Sequence, residues 1–168
     1  STYSLIVVIS PIVDNIYEAG SEFRDGYAVV IKNKLRGFID TNGNIAIEPQ
    51  FQDASLFSYG LAAACRHGFY GYIDRNGKWI IPCVYEKAFD FIEGCARVKK
   101  LGNWMLIDTM GKFITNEYFE ELLDESCGLI LAKKNGLYGY LNICGIWIIK
   151  PQYKMASSFY NGLAVVWM

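Results

Sequence analysis

Short apolar segments separated by polar, glycine-bearing turns run along the chain: Tyr27 to Ile31, Leu61 to Cys65, Gly71 to Asp74, Lys78 to Ile81, Cys95 to Lys99 and Leu163 to Trp167. They are rich in β-branched and aromatic residues, which suit a pleated, half-buried surface. In one of them Arg97 lies between Ala96 and Val98, the two-residue alternation of a strand with one buried face. Helical periodicity is limited to a weak trace around Phe119 to Leu123. The pattern predicts strands throughout.

The pattern also repeats. Gly26, Gly60, Gly94, Gly128 and Gly162 stand 34 residues apart without a slip. A second ladder, Gly43, Gly77, Gly111 and Gly145, is preceded three residues earlier by Asp40, Asp74, Asp108 and Asn142. Aromatics recur at Tyr17, Phe51, Tyr85, Phe119 and Tyr153, and again at Phe23, Phe57, Phe91 and Phe159, where Glu125 is the exception. A fixed period means that each unit is one supersecondary piece whose apolar face is covered by its neighbours. Thirty-four residues is also the length of a helical tetratricopeptide unit. That reading fails on glycine: about three per unit, each costing roughly 1 kcal/mol inside a helix.

Each unit reads as three short strands. The first is a G-L-A-V-V type segment, closed by a turn at Gly68, Gly102 or Gly136. The second, of G-Y-I-D type, enters a D-x-x-G turn, where the Asp or Asn side chain accepts backbone N–H groups and glycine supplies a positive φ. The third, of K-W-I-I type, is closed by Pro49, Pro82 or Pro151, since proline removes a ladder donor. A polar and aromatic connection carrying Ala88 or Ala156 leads onward. The expectation is an all-β chain of five tandem repeats forming a single domain over residues 1–168. Its units lie near 1–26 (a partial unit or cap), 27–60, 61–94, 95–128 and 129–162, with a final strand at 163–168. They pack in β-propeller-like fashion; the alternative is an open β-superhelix or solenoid. Tyr3 to Ile9, a strand-like segment without its own D-x-x-G turn, would complete a blade with the last strand in the first case and cap the array in the second.

Charge and composition narrow the function classes. Sixteen basic and seventeen acidic residues leave a net charge of −1, which disfavours nucleic acid and anionic membrane as partners. No apolar run approaches the roughly 20 residues of a membrane-spanning helix. Cys65, Cys83, Cys95, Cys127 and Cys144 fall in five different columns of the repeat, with no C-x-x-C pair. This argues for free thiols and a reducing, cytoplasmic compartment rather than a metal or disulfide framework. His67 reads as an exposed turn histidine, and the Asp40, Asp74 and Asp108 ladder as turn caps, since Asn142 serves in the same column. No nucleophile, metal or phosphate motif emerges, so the expectation is no enzyme and no cofactor.

Two features are candidates for binding. The third unit is the deviant one, with Met105 in place of a glycine and Glu117, Glu120, Glu121, Asp124 and Glu125 clustered in its loop. Such a cluster is either a dock for a basic partner or a solvated face. An aromatic stripe, Tyr72, Trp79, Tyr138, Tyr140, Trp147 and Tyr160, is either a surface that stacks on sugars or grips a peptide, or the filling between stacked sheets. The candidate binding residues are therefore Tyr72, Trp79, Tyr140, Trp147, Glu120 and Glu121.

The consensus of the units, aromatic-G-Y-I-D-x-x-G-K-W-I-I-x-P-x-Y-x-x-A-x-x-F-x-x-G-L-A-x-V, resembles the WG-repeat (KWG) family of bacterial β-repeat proteins from about Ile12 to Met168. The namesake Trp-Gly pair is varied here: Arg36-Gly37, Tyr70-Gly71, Trp104-Met105 and Tyr138-Gly139. The resemblance implies a non-catalytic β module with a binding role. Joined to the readings above, it gives the functional expectation: a protein or peptide interaction scaffold, with a carbohydrate or small-ligand module as the alternative and a hydrolase as a remote one.

Overall fold

The computed structural model describes residues 17–168, so the segment Tyr3 to Ile9 lies outside the described residues. The chain is all-β, built from small antiparallel sheets in tandem. The first sheet contains β1 (Ala19–Gly20), β2 (Tyr27–Lys32), β3 (Leu35–Asp40) and β4 (Ile45–Phe51), each paired with its sequence neighbour. The second repeats that order with β5 (Asp53–Ala54), β6 (Ala62–Arg66), β7 (Phe69–Ile73) and β8 (Trp79–Tyr85). The third has only β9 (Lys87–Ala88), β10 (Cys95–Lys100) and β11 (Asn103–Asp108). The fourth is complete: β12 (Glu121–Ser126), β13 (Leu129–Lys134), β14 (Leu137–Asn142) and β15 (Trp147–Tyr153). The fifth pairs β16 (Met155–Ala156) with β17 (Val166–Trp167). The weak helical trace at Phe119 to Leu123 is overridden, for β12 begins within it.

Two expectations about the strands are corrected. The connection between units is itself part of the sheet: in β5, β9 and β16 two residues straight after the long strand pair with the following one. A complete sheet thus has four strands rather than three. The prolines also fail to end the third strand, because Pro49, Pro82 and Pro151 lie inside β4, β8 and β15. Those strands occupy the sheet edge, and their ladders shift register between Arg36 and Phe38, Tyr70 and Tyr72, and Tyr138 and Tyr140. A missing donor is tolerated at an edge and a bulge.

The bulge explains a third glycine column. A Cβ on Gly37, Gly71 or Gly139 would lie 2.4–2.5 Å from the carbonyl oxygen of Ile47, Ile81 or Ile149. Only a residue without a side chain lets the edge strand approach so closely. In the third unit Met105 holds that position, and the edge strand is replaced by isolated bridges, Trp104 with Phe119 and Ile107 with Phe113.

The D-x-x-G turns form as their chemistry requires. One carboxylate oxygen of Asp74 accepts the N–H of Asn76 and of Lys78, each at 2.9 Å, and Gly77 closes the turn at φ +78°. Asn142 takes the equivalent bond from Ile146 at 2.9 Å.

The hydrophobic core is divided among the junctions between successive sheets. Phe38, Phe51, Phe57 and Ile73 fill the first, Tyr72, Tyr85, Phe91 and Ile107 the second, and Leu106, Phe119, Ile130 and Leu141 the third. Arg24 fastens three units at one end. Its guanidinium donates to the carbonyls of Phe57 and Leu56, each at 3.0 Å, and pairs with Asp90 at 2.5 Å.

Candidate functional site

Most of the predicted binding residues turn out to be engaged in the repeat itself. Tyr72 and Tyr140 are 0% and 1% exposed, and their hydroxyls donate to the carbonyls of Phe89 and Ser157 at 2.7 Å. Burial pushes the Tyr72 hydroxyl well above the usual tyrosine range and raises that of Tyr140. Trp79 meets Phe51 edge-on at 5.7 Å, and Trp147 meets Phe119 at 5.8 Å while its indole N–H donates to Glu117. Packing between sheets, not an open stacking face, accounts for these four rings.

The acidic cluster is likewise dispersed into structural contacts. Glu120 accepts the N–H of Gly136 at 3.0 Å, as Gln52 does from Gly68 at 2.8 Å and Glu86 from Gly102 at 3.0 Å. It belongs to a recurring column that caps the turn between the two central strands. Glu121 accepts the Tyr138 hydroxyl, repeating the 2.7 Å bond of Asp53 to Tyr70, and it pairs with Lys133. Glu117 pairs with Lys134 at 2.8 Å, a hydrogen bond that holds its carboxyl below the usual range. His67 sits exposed in the turn between β6 and β7, at φ +54°. Among the described residues no group of His, Cys, Asp and Glu is arranged to hold a metal ion.

The site emerges instead from a comparison of the junctions. At three of them a phenylalanine from one unit packs on an aromatic ring of the preceding sheet: Phe57 on Phe38, Phe91 on Tyr72 and Phe159 on Tyr140, each with centroids 4.8 Å apart. A side chain of the preceding unit also ties down that phenylalanine's carbonyl: Arg24 to Phe57, Ser58 to Phe91 at 2.6 Å and Ser126 to Phe159 at 2.6 Å. Between the third and fourth sheets all three positions change. Leu106 stands for the ring, Glu125 for the phenylalanine, and Ile92, which has no donor, for the serine.

Beside these changed positions lies a cleft of about 400 Å³, in which Ile92 is exposed while Leu106 and Ile130 stay buried in the junction core. Its apolar lining includes Ala88, Ile92, Cys95, Leu106, Ile130 and Ile143, and its charged lining is Asp90, Arg97, Asp124 and Glu125. The register of β12 against β13 shifts between Leu122 and Glu125, bulging the strand that carries the two acids. Glu125 turns its carboxylate to the N–H of Gly128.

Arg97 buttresses one wall. Its guanidinium stacks on Phe89 at 4.3 Å, donates to the Leu122 carbonyl at 2.6 Å and pairs with Asp124. Burial draws its pKa below the ordinary arginine range while the Asp124 carboxylate pulls the other way. With Asp90 held by Arg24, two of the three acids have cationic partners. Among the described residues no Lys or Arg pairs with Glu125. The sequence signals the exception at Glu125 and shows Arg97 only as the outward member of a strand alternation, while Ile92 and Leu106 carry no signal of their own. Aligning Arg97 with its column mates Val29, Ala63 and Leu131 would have exposed it as a charge in an apolar column.

Comparison with known proteins agrees with the repeat. The family described as WG containing repeat matches residues 37–68, 70–104, 104–138 and 138–166. No curated protein matches the chain. Two solved chains of Hsv2 are similar. One, "KlHsv2 with loop 6CD replaced by a Gly-Ser linker", has a TM-score of 0.46 and 12% identity over 71% of this chain. The other, "Kluyveromyces lactis Hsv2 complete loop 6CD", has a TM-score of 0.46 and 11% identity over 84%. The match spans 46% of each solved chain, less than half its length. With four consecutive matches covering residues 37 to 166, the chain belongs to the WG containing repeat family.

Proposed function

We propose that the chain is a non-catalytic binding scaffold that recognises a protein or peptide segment, and that the cleft between the third and fourth sheets is its recognition site. One observation carries this reading: the packing rule followed at the other junctions is broken at three neighbouring positions, and a concavity with the exposed Ile92 and an acidic edge lies beside them. Concave, mostly apolar sites with a few convergent polar groups are the usual form of ligand pockets. Loss of a ring from a packed junction costs stability, so the broken rule is better explained by use than by packing.

The lining argues against covalent chemistry. Burial, with the Cys144 thiol beside it, pushes the Cys95 thiol above its usual range, the opposite of what a nucleophile needs. The Ser55 hydroxyl is occupied, accepting the Ala63 N–H at 3.1 Å. A sugar-stacking surface has less support, because Tyr72 and Tyr140 are interior. A net charge of −1 offers no drive toward nucleic acid or anionic lipid.

Selection of a displayed random-peptide library on the purified chain, run beside a glycan array, tests this reading. Recovery of peptides that compete with one another for the chain is the expected result. Glycan binding without any peptide recovery would overturn it.

A further inference from the structure

We infer that Cys95 and Cys144 form a reversible oxidation site, at which a hydroperoxide joins the third and fourth units by a disulfide. The site stands apart from the scaffold reading and does not depend on it. Cys95 begins β10, and Cys144 lies in the Asn142 to Gly145 turn that follows β14. Three observations place that turn against that strand end. Ile143, next to Cys144, lines the same cleft as Cys95. A Cβ on Gly145, on the other side of Cys144, would lie 3.2 Å from Cδ1 of Leu106 in β11, the strand whose Asp108 is paired with Cys95. The repeat makes the equivalent contact in the first two units, where the counterparts of Cys95 and Ile143 are Tyr27 and Arg75, and the Arg75 guanidinium lies 5.9 Å from the Tyr27 ring centre. The two thiols themselves are neighbours, close enough to act as hydrogen-bond partners. Cys65 and Cys83 give the contrast, since they lie in β6 and β8 on either side of β7. Two strand spacings, about 9–10 Å, exceed the roughly 7 Å that a disulfide can bridge.

The two thiols are unequal, and the difference sets the order of events. Cys144 is exposed and meets the oxidant, whereas Cys95 is half-buried and burial helps it to keep its proton. The Cys144 thiolate attacks the O–O bond of the hydroperoxide and takes the hydroxyl, the other oxygen leaving as an alcohol or water with the former thiol proton, and a sulfenic acid results. The Cys95 sulfur then attacks the Cys144 sulfur. The S–S bond forms, the S–O bond breaks, and the hydroxyl departs as water with the Cys95 proton. The two thiols together lose two electrons, and the peroxide gains them. In a reducing setting such a bond is transient and reports oxidant rather than holding the fold. It crosses the junction at which Leu106 and Glu125 replace the ring pair, and it ties Cys95 to the turn that carries Ile143, so oxidation tethers two sides of the cleft.

The test treats the reduced full chain with hydrogen peroxide, blocks the remaining thiols with N-ethylmaleimide and maps the digest by mass spectrometry. A Cys95–Cys144 cross-link within one chain, cleaved by dithiothreitol, is expected, with Cys65, Cys83 and Cys127 carrying the blocking reagent. The thermal midpoint of the oxidised chain should rise by roughly 5 °C or more, the scale of a disulfide that closes a long loop. Cys127→Ser should give the same cross-link. In Cys95→Ser dimedone should trap a sulfenic acid on Cys144, and Cys144→Ser should keep its other thiols through the same treatment with no change of midpoint. The proposal is overturned if both thiols remain open to the blocking reagent, if Cys144 pairs with Cys127 or with a second chain, if Cys144 runs on to sulfinic acid while Cys95 stays reduced, or if the cross-linked chain melts where the reduced one does.

Discussion

Tyr72 and Phe91 lie with their rings 4.8 Å apart, and one unit later Leu106 and Glu125 hold the same two places. The first pair shows what a junction of this repeat requires: a ring on the sheet, a ring laid over it, the Tyr72 hydroxyl bonded to the Phe89 carbonyl, and Ser58 bonded to the Phe91 carbonyl. The second pair gives up both rings, and the strand that carries Glu125 bulges where it pairs with β13. Fully burying a side chain of this kind is worth about 1.5–3 kcal/mol, so the exchange is energetically substantial.

That exchange predicts a contrast between two substitutions. Phe91→Ala should destabilise the chain by about 3–5 kcal/mol, the range for loss of a buried phenylalanine. Glu125→Phe should stabilise it by about 0.5–2 kcal/mol, as returning a position to its consensus commonly does. Urea unfolding midpoints measure both, and a destabilised Glu125→Phe chain would mean that this junction has lost its place for a ring.

The glycine columns separate into two kinds. Gly71→Ala should cost about 1–3 kcal/mol through overpacking, since its Cβ would meet the Ile81 carbonyl oxygen at 2.4 Å and push β8 outward. Gly77→Val should cost more than ~1 kcal/mol, because a β-branched residue tolerates a positive φ poorly. The φ there is +78°, and the new Cβ would lie 3.1 Å from Ile47 Cγ2. Thermal midpoints of the two variants, with unchanged sheet content by circular dichroism, check these costs.

The structural role of Glu120 gives a prediction that separates it from binding. Gln52 makes the same bond to its own turn glycine, so Glu120→Gln should leave stability within about 0.5 kcal/mol. Glu120→Ala, which removes the acceptor, should cost about 0.5–1.5 kcal/mol. Peptide affinity should be unchanged by the first of these; a marked loss would put Glu120 in the recognition surface.

Alkali should weaken the fold through Tyr70. Its hydrogen bond to Asp53 and its burial push the hydroxyl from about 10 up to about 12. A raised pKa means that the folded chain holds this proton more tightly than the unfolded chain does. The associated stability is fully present below pH ~10 and is lost as pH rises toward about 12. Tyr70→Phe should flatten that alkaline limb in chemical unfolding followed across the window, whereas an identical limb would assign the loss to other groups.

Much of the architecture is legible in the residues because the forces behind it are local. Strand-forming segments, glycines at positive φ and Asp side chains over their own turns act within a few residues of one another, and copying repeats each signal until it is unmistakable. The two-residue strand Asp53–Ala54 escapes notice because it is too short to carry an alternation. Pro49 misleads because a missing donor matters only if the strand has a neighbour on that side, and whether it does is a property of the assembled sheet.

The sequence by itself therefore determined the period, the strand and turn chemistry, and the place where the copies diverge, all of which depend on residues near one another in the chain. Tertiary structure alone decided what the divergence does. Tyr72, a residue with the composition of a ligand platform, became the floor of a junction, and Glu120 became a turn cap. Ile92 and Leu106, unremarkable singly, came together with the exceptional Glu125 beside one cleft. Stacking of the sheets brings these positions together, and burial exists only once the neighbouring unit is in place.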